Sequence, residues 1–188
     1  PGHHATPSHA MGFCLLSNVA IGARYAIEQH GLERVAIVDF DVHHGNGTQD
    51  ALYDDEQVLF ISSHQMPLYP GTGALHDTGR GSGRGTTINI PVPTQTDDAG
   101  LQQLYEAVVI PALERFRPHL ILVSAGFDAH WRDPLANLQM SLGGFATLNR
   151  LLLQSATSLC KGNLIAVTEG GYDLEVLGYG VSNFLQLL

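Results

Sequence analysis

An α/β domain with an open, mostly parallel sheet and helices on both faces is predicted by three features of this 188-residue sequence. Short apolar runs rich in β-branched residues alternate with longer segments of helical periodicity. Polar or glycine-rich residues follow each apolar run, as at the carboxyl ends of strands in such sheets. No repeat or linker composition divides the chain, so residues 1–188 form one domain.

The elements follow in order. Met11 to His30 is helical by its small and apolar residues, with Gly31 as its stop. Arg34 to Phe40 is a buried strand around Val35-Ala36-Ile37-Val38, Gly47 to Tyr53 a short helix, and Val58 to Ser62 a second buried strand. Gln65 to Gly85, rich in Gly and Pro, is a long loop of the kind that often carries function. Thr86 to Val92 is the third strand. Asp97 to Phe116 is a helix with acidic residues at its positive end. Leu120 to Ser124 is a strand, Ser141 to Leu159 a helix, Leu164 to Thr168 the fifth strand and Leu174 to Leu188 a last helix.

Composition narrows the function. A net charge of -9 and no Lys or Arg run argue against a nucleic-acid footprint. The acidic balance suits a cationic partner, such as a lysine-bearing peptide or a polyamine, and is also commonplace in soluble proteins. Two cysteines, Cys14 and Cys160, are too few for a disulfide framework. Cys14 is expected as a buried thiol within the first helix, and a reducing, cytoplasmic setting is the default. No stretch reaches the ~20 apolar residues of a membrane span. The chain opens at Pro1 without Met, so the lack of a signal peptide carries no weight.

The polar strand ends carry the chemistry. In extended backbone the side chains of Asp41 and His43 point to one face. Asp128, at the end of another strand, can supply a third ligand to a divalent cation. Three N and O ligands that leave a position for water or substrate are the pattern of catalytic zinc. An isolated Asp-x-His is more often a turn or cap, and the neighbouring polar strand ends reverse that weighting. Four of the ten histidines form the pairs His3-His4 and His43-His44. An oriented histidine is the usual general base, and Asp39 and Asn46 are available as orienters. Tyr172, after Gly170-Gly171, could donate to an oxyanion or be an ordinary turn tyrosine. His64, His76, His119 and His130 read as surface or packing residues.

Taken in order, Pro1-Gly2-His3-His4-Ala5, Gly12-Phe13-Cys14, Asp39 through Thr48, Tyr69-Pro70-Gly71-Thr72-Gly73, Ser124 through His130 and Glu169-Gly170-Gly171-Tyr172 resemble the histone deacetylase superfamily. Asn46-Gly47-Thr48 and Ala125 through His130 look like its class II and bacterial branch, which includes acetylpolyamine amidohydrolase-like and acetoin-utilization-like proteins. The resemblance implies an arginase/deacetylase-like fold whose N-terminal part lies upstream of Pro1. It implies hydrolysis of an N-acyl amide on acetylated lysine or a polyamine, releasing acetate. Asp41, His43 and Asp128 would bind Zn2+, His4 would be the general base, and His3 its electrostatic partner and a proton source for the leaving amine. Asp39 and Asn46 would hold that pair, and Tyr172 would polarise the carbonyl. Phe13, Tyr69, Leu135 and Gly171 would belong to the acyl-lysine tunnel. Asp39, Asp41, His43, Ser62 and Ser63 would align with a structural K+ site, partly through backbone carbonyls. A nuclear setting is the alternative in a eukaryote, and the oligomeric state is unreadable.

Two other readings remain at this stage. One is an arginase-like binuclear manganese hydrolase, with His44 and His130 as additional ligands. The other is an inactive acyl-lysine or metal-binding module.

Overall fold

Five strands form one all-parallel sheet, and a single alternation in sequence decides how it is covered. The computed structural model describes residues 1–188. β1 (Val35–Asp39), β2 (Val58–Gln65), β3 (Thr87–Val92), β4 (Leu120–Ala125) and β5 (Leu164–Thr168) lie in the order β3-β2-β1-β4-β5. Side chains alternate across a strand. Val35, Ile37, Val58, Phe60, Leu120 and Leu122 therefore share one face, packed against Val19, Ala20, Ala23 and Ala26 of α1 (Asn18–His30) and Leu52 of α2 (Asn46–Leu52). Ala36, Val38, Leu59, Ile61, Ile121 and Val123 share the other. That face is covered from α3 (Asp98–Leu104), α4 (Ile110–Phe116), α5 (Leu142–Cys160) and α6 (Leu174–Leu187), among them Leu113, Phe145, Leu148, Leu152 and Phe184. Each such aliphatic side chain, fully buried, contributes about 1.5–3 kcal/mol. Strands apolar on both faces are what a helix-covered parallel sheet requires.

Three sequence expectations are corrected. The first helix begins at Asn18 and not at Met11. Residues Met11 and Cys14 exchange backbone hydrogen bonds across Gly12 (φ 55) and Phe13 (φ 64). Two successive left-handed residues are a hairpin-type turn and cannot continue a helix. Cys14 is buried as expected, but in that turn. The helix over 97–116 is interrupted by a π-helical turn at Tyr105–Val109. Pro111 has no N–H to continue the i→i−4 ladder, and the Ile110 N–H donates to the Tyr105 carbonyl one residue further back. The second strand continues past Ser62 to Gln65, paired with β3, and the long loop after it holds a short 3-10 turn at Gly81–Gly83.

The chain steps outward from β1 to β2 and β3, then returns to the other side of β1 for β4 and β5. The carboxyl ends of β1 and β4 therefore flank the point where strand order reverses, the place where open parallel sheets form their crevice. Asp39 sits in register with Ser62 on one side and Ser124 on the other. At the far edge β5 is uncovered on one face, with Ile165 54% exposed. No helix is long and apolar enough to cross a membrane.

Candidate active site

Asp41, His43 and Asp128 are buried, and their ligand atoms lie within 4.8 Å of one another. Asp41 and His43 follow β1 and Asp128 follows β4, so the neighbouring parallel strands bring together residues far apart in sequence. Backbone N–H groups fix the carboxylates. Asp41 Oδ1 accepts from His43 N at 2.9 Å and Asp41 Oδ2 from Gly170 N at 2.7 Å. Asp128 Oδ1 accepts from Val42 N at 2.9 Å, which leaves Oδ2 facing His43 Nδ1 at 3.1 Å. His43 Nδ1 is also 3.1 Å from Asp41 Oδ1. Gly126 and Gly170 have no room for a side chain here, because a Cβ on either would overlap the carboxylates of Asp41 or Asp128.

The electrostatics favour a cation at this point. Burial, and then the neighbouring Asp41, push Asp128 up to about 7. Burial alone would depress His43, but hydrogen bonds to Asp128 and Asp41 raise it to about 10. The group thus holds protons that a cation bound by two carboxylates and an imidazole would displace. One nitrogen and two carboxylate donors fit zinc, which takes both ligand types. No other group of three such side chains occurs. His44 gives its ring nitrogens to Thr72 Oγ1 (2.8 Å) and Gln49 Oε1 (3.1 Å), and His130 Nδ1 accepts from Arg132 N (3.2 Å). Neither joins the cluster, which removes the geometric basis for a binuclear site.

The tandem histidines lie beside it. His3 Nδ1 meets Asp39 Oδ2 at 2.9 Å, and His3 Nε2 is 3.7 Å from Asp41 Oδ1. Burial would lower the His3 pKa, but Asp39 and Asp41 outweigh it and hold it well above the ordinary value. His4 differs. Burial and the neighbouring His3 lower it to about 4, so its ring is neutral. Its Nδ1 is 2.7 Å from Asn46 Oδ1, an acceptor, so the proton sits on Nδ1 and Nε2 keeps its lone pair. One anchor escaped sequence reasoning. Buried Glu169 accepts from Gly2 N and His3 N through Oε2 and from Ser124 Oγ through Oε1, tying the tandem pair to the sheet.

A cavity of about 450 Å³ opens onto this cluster, lined by His4, Gly12, Phe13, His43, Leu68, Tyr69, Leu135 and Tyr172. Phe13, Tyr69 and Leu135 thus share one cavity with His4, His43 and Tyr172. Phe13, 77% exposed, is delivered to the mouth by the Gly12-Phe13 turn. Gly171 does not line the cavity. A side chain on it would meet Leu177 and Phe127. A larger concavity of about 710 Å³ runs along α1, but it contains none of the strand-end residues. Ser62 and Ser63 are buried next to Asp39. Their hydroxyls are engaged, Ser62 with His64 Nδ1 (3.0 Å) and Ser63 with the Asp39 carbonyl and Tyr105 Oη (both 3.5 Å). Of the surface and packing alternatives, His64 takes the second, since it is 1% exposed and bonded to the Gly73 carbonyl at 2.9 Å. His76 is exposed.

A family model described as histone deacetylase domain matches residues 1–188. The chain is 51% identical over 183 residues to "Histone deacetylase 10, chloroplastic" of Oryza sativa subsp. japonica, across 97% of this chain and 41% of that protein. It is 45% identical over 174 residues to "Histone deacetylase-like amidohydrolase" of Pseudomonas aeruginosa, across 92% of this chain and 46% of that protein. Its fold superposes on a crystal structure of the HDA15 HD domain with a TM-score of 0.94 at 37% identity, covering 100% of this chain and 52% of that one. The chain spans about half the length of these relatives.

Proposed function

Because this chain belongs to the histone deacetylase family, we propose that it is the catalytic part of a zinc-dependent deacetylase. The substrate would be an N-acetyl or related acyl amide on a lysine side chain or a polyamine, and acetate would be released. The observation that carries the reading is the convergence of Asp41, His43 and Asp128 at a cavity that His4 and Tyr172 also line.

Asp41, His43 and Asp128 would hold the zinc ion. When bound, it supplies Lewis acidity toward the amide carbonyl and the attacking water. The chain's own groups divide the remaining work. Neutral His4, with its Nε2 lone pair, takes the proton from water as general base. His3, held protonated by Asp39 and Asp41, stabilises the developing negative charge and supplies a proton toward the leaving amine. Burial raises the Tyr172 hydroxyl well above its ordinary range, so it keeps its proton and donates to the carbonyl oxygen. Phe13, Tyr69 and Leu135 exclude water from the acyl-lysine stem. Asp39, Asp41, His43, Ser62 and Ser63 remain our proposal for a structural K+ site, through backbone carbonyls where the serine hydroxyls are engaged. A reducing compartment such as the cytoplasm is supported by two unpaired, buried thiols.

Turnover of a fluorogenic acetyl-lysine peptide by the zinc-supplied chain tests the reading. Loss by about 10²-fold or more in His4→Ala and in Tyr172→Phe is expected, with inhibition by a hydroxamate chelator. Turnover that survives removal of the metal would refute it. Hydroxamate binding without turnover would point to an acyl-lysine-binding module instead.

A further inference from the structure

Tyr172 is carried on two glycines. Gly171 has φ +139, and Gly170 is pressed against the Asp128 and Asp41 carboxylates. Glycine imposes little torsional preference of its own, so the direction of the following tyrosine needs an outside restraint. One side chain supplies it. Asp133, only 6% exposed, accepts from Tyr172 N through Oδ2 at 2.9 Å and from Leu135 N through Oδ1 at 2.9 Å. Its carboxylate pairs with no cation. The adjacent Arg132 turns away and bridges Asp173 Oδ2 and Glu175 Oε2, both at 2.9 Å. The segments 132–135 and 172–175 are therefore fastened twice, once inside by Asp133 and once at the surface by Arg132. Both segments line the same cavity, through Leu135 and Tyr172.

We propose that Asp133 is a positioning residue for the hydrolysis, fixing the oxyanion-donating Tyr172 and the Leu135 tunnel wall to one another as a unit. The inference rests on the role given to Tyr172 above. Asp133 itself touches no reacting atom. Its Oδ1 makes a local Asx turn that asparagine makes equally well, while its Oδ2 bond to Tyr172 requires an acceptor that the asparagine amide nitrogen cannot be. Asp133→Asn therefore separates the two functions of the carboxylate.

Amide hydrogen exchange and kinetics on the zinc-supplied chain test this. In Asp133→Asn the Tyr172 amide should exchange faster while the Leu135 amide stays protected. In Asp133→Ala both should exchange faster. kcat on an acetyl-lysine peptide should fall on the order of 10 to 100-fold in Asp133→Asn, with KM changed less than about 3-fold, because misplacement of a catalytic group costs rate more than binding. In a Tyr172→Phe background the same substitution should change kcat less than about 2-fold, since the hydroxyl it positions is already gone. An unchanged Tyr172 amide, or an equal loss of kcat in the Tyr172→Phe background, overturns the proposal. If the wild-type chain shows no turnover, the functional reading has failed, and the exchange measurement still decides whether Asp133 holds Tyr172. If Asp133→Ala does not fold, Asp133→Asn carries both measurements.

Discussion

Gly170 lies so close to Asp128 that a Cβ atom on it would overlap the Asp128 Oδ2, and its N–H donates to Asp41 Oδ2 at 2.7 Å. A single glycine, two residues past the end of β5, thus contacts two of the three proposed ligands. Gly170→Ala must push a carboxylate aside. We expect zinc affinity to fall about 10 to 100-fold, the scale of losing a ligand's supporting contact, with far-UV circular dichroism unchanged. Competition against a chelator of known affinity measures it, and wild-type affinity in the variant would contradict the cluster's assignment as a metal site.

Glu169 should matter for stability through the donors it serves. Glu169→Ala leaves the buried Gly2 and His3 N–H groups without their acceptor. At about 1–3 kcal/mol for each of the two abandoned groups, urea unfolding should show a loss of about 2–6 kcal/mol. Glu169→Gln keeps one acceptor oxygen for both amides and an NH2 for the Ser124 hydroxyl, so most of that stability should return. A loss below 1 kcal/mol in the alanine variant would show that the anchor is dispensable.

His64 predicts an acid limb in stability. Its Nε2–H donates to the Gly73 carbonyl, its Nδ1 faces the Ser62 hydroxyl, and the His44 ring lies 4.7 Å away. Burial lowers its pKa below the ordinary 6.5. The unfolded chain therefore binds a proton near pH 6.5 that the folded chain refuses, and stability is full above that value and falls as pH drops below it. Urea midpoints between about pH 7 and pH 5 should fall less steeply in His64→Gln, which keeps a donor for Gly73. His44 is lowered by burial and then by the neighbouring His64, so removing His64 also relaxes the His44 shift and lessens the slope in the same direction. Equal slopes would mean that His64 is not the group that resists protonation.

The β5 edge should govern self-association. Ile165 is 54% exposed beside Val167 and the α1 residue Tyr25, itself 59% exposed. An exposed apolar strand edge templates pairing. Ile165→Lys should lower the light scattering of concentrated chain without changing its melting temperature by more than about 2 °C. Unchanged scattering would move the cause of association elsewhere.

Much of this site was legible before folding. Parallel strands buried on both faces write continuous apolar runs, so all five were found, and their polar carboxyl ends marked Asp41, His43, Asp128 and Tyr172 as chemistry-bearing. A turn with two left-handed residues leaves no such trace, because Met11–Ser17 keeps a helix-like mix of apolar residues while the backbone at Gly12 and Phe13 departs from it. What Glu169, His64 and Asp133 hold was not legible, for a different reason. Their meaning lies in hydrogen bonds to backbone groups 167, 9 and 39 residues away. Sequence alone determined which residues could do the chemistry, since side-chain type and strand periodicity are local properties. Only the tertiary structure decided which buried carboxylate holds which backbone amide, because desolvation makes every such pairing obligatory without stating in advance which partner will supply it.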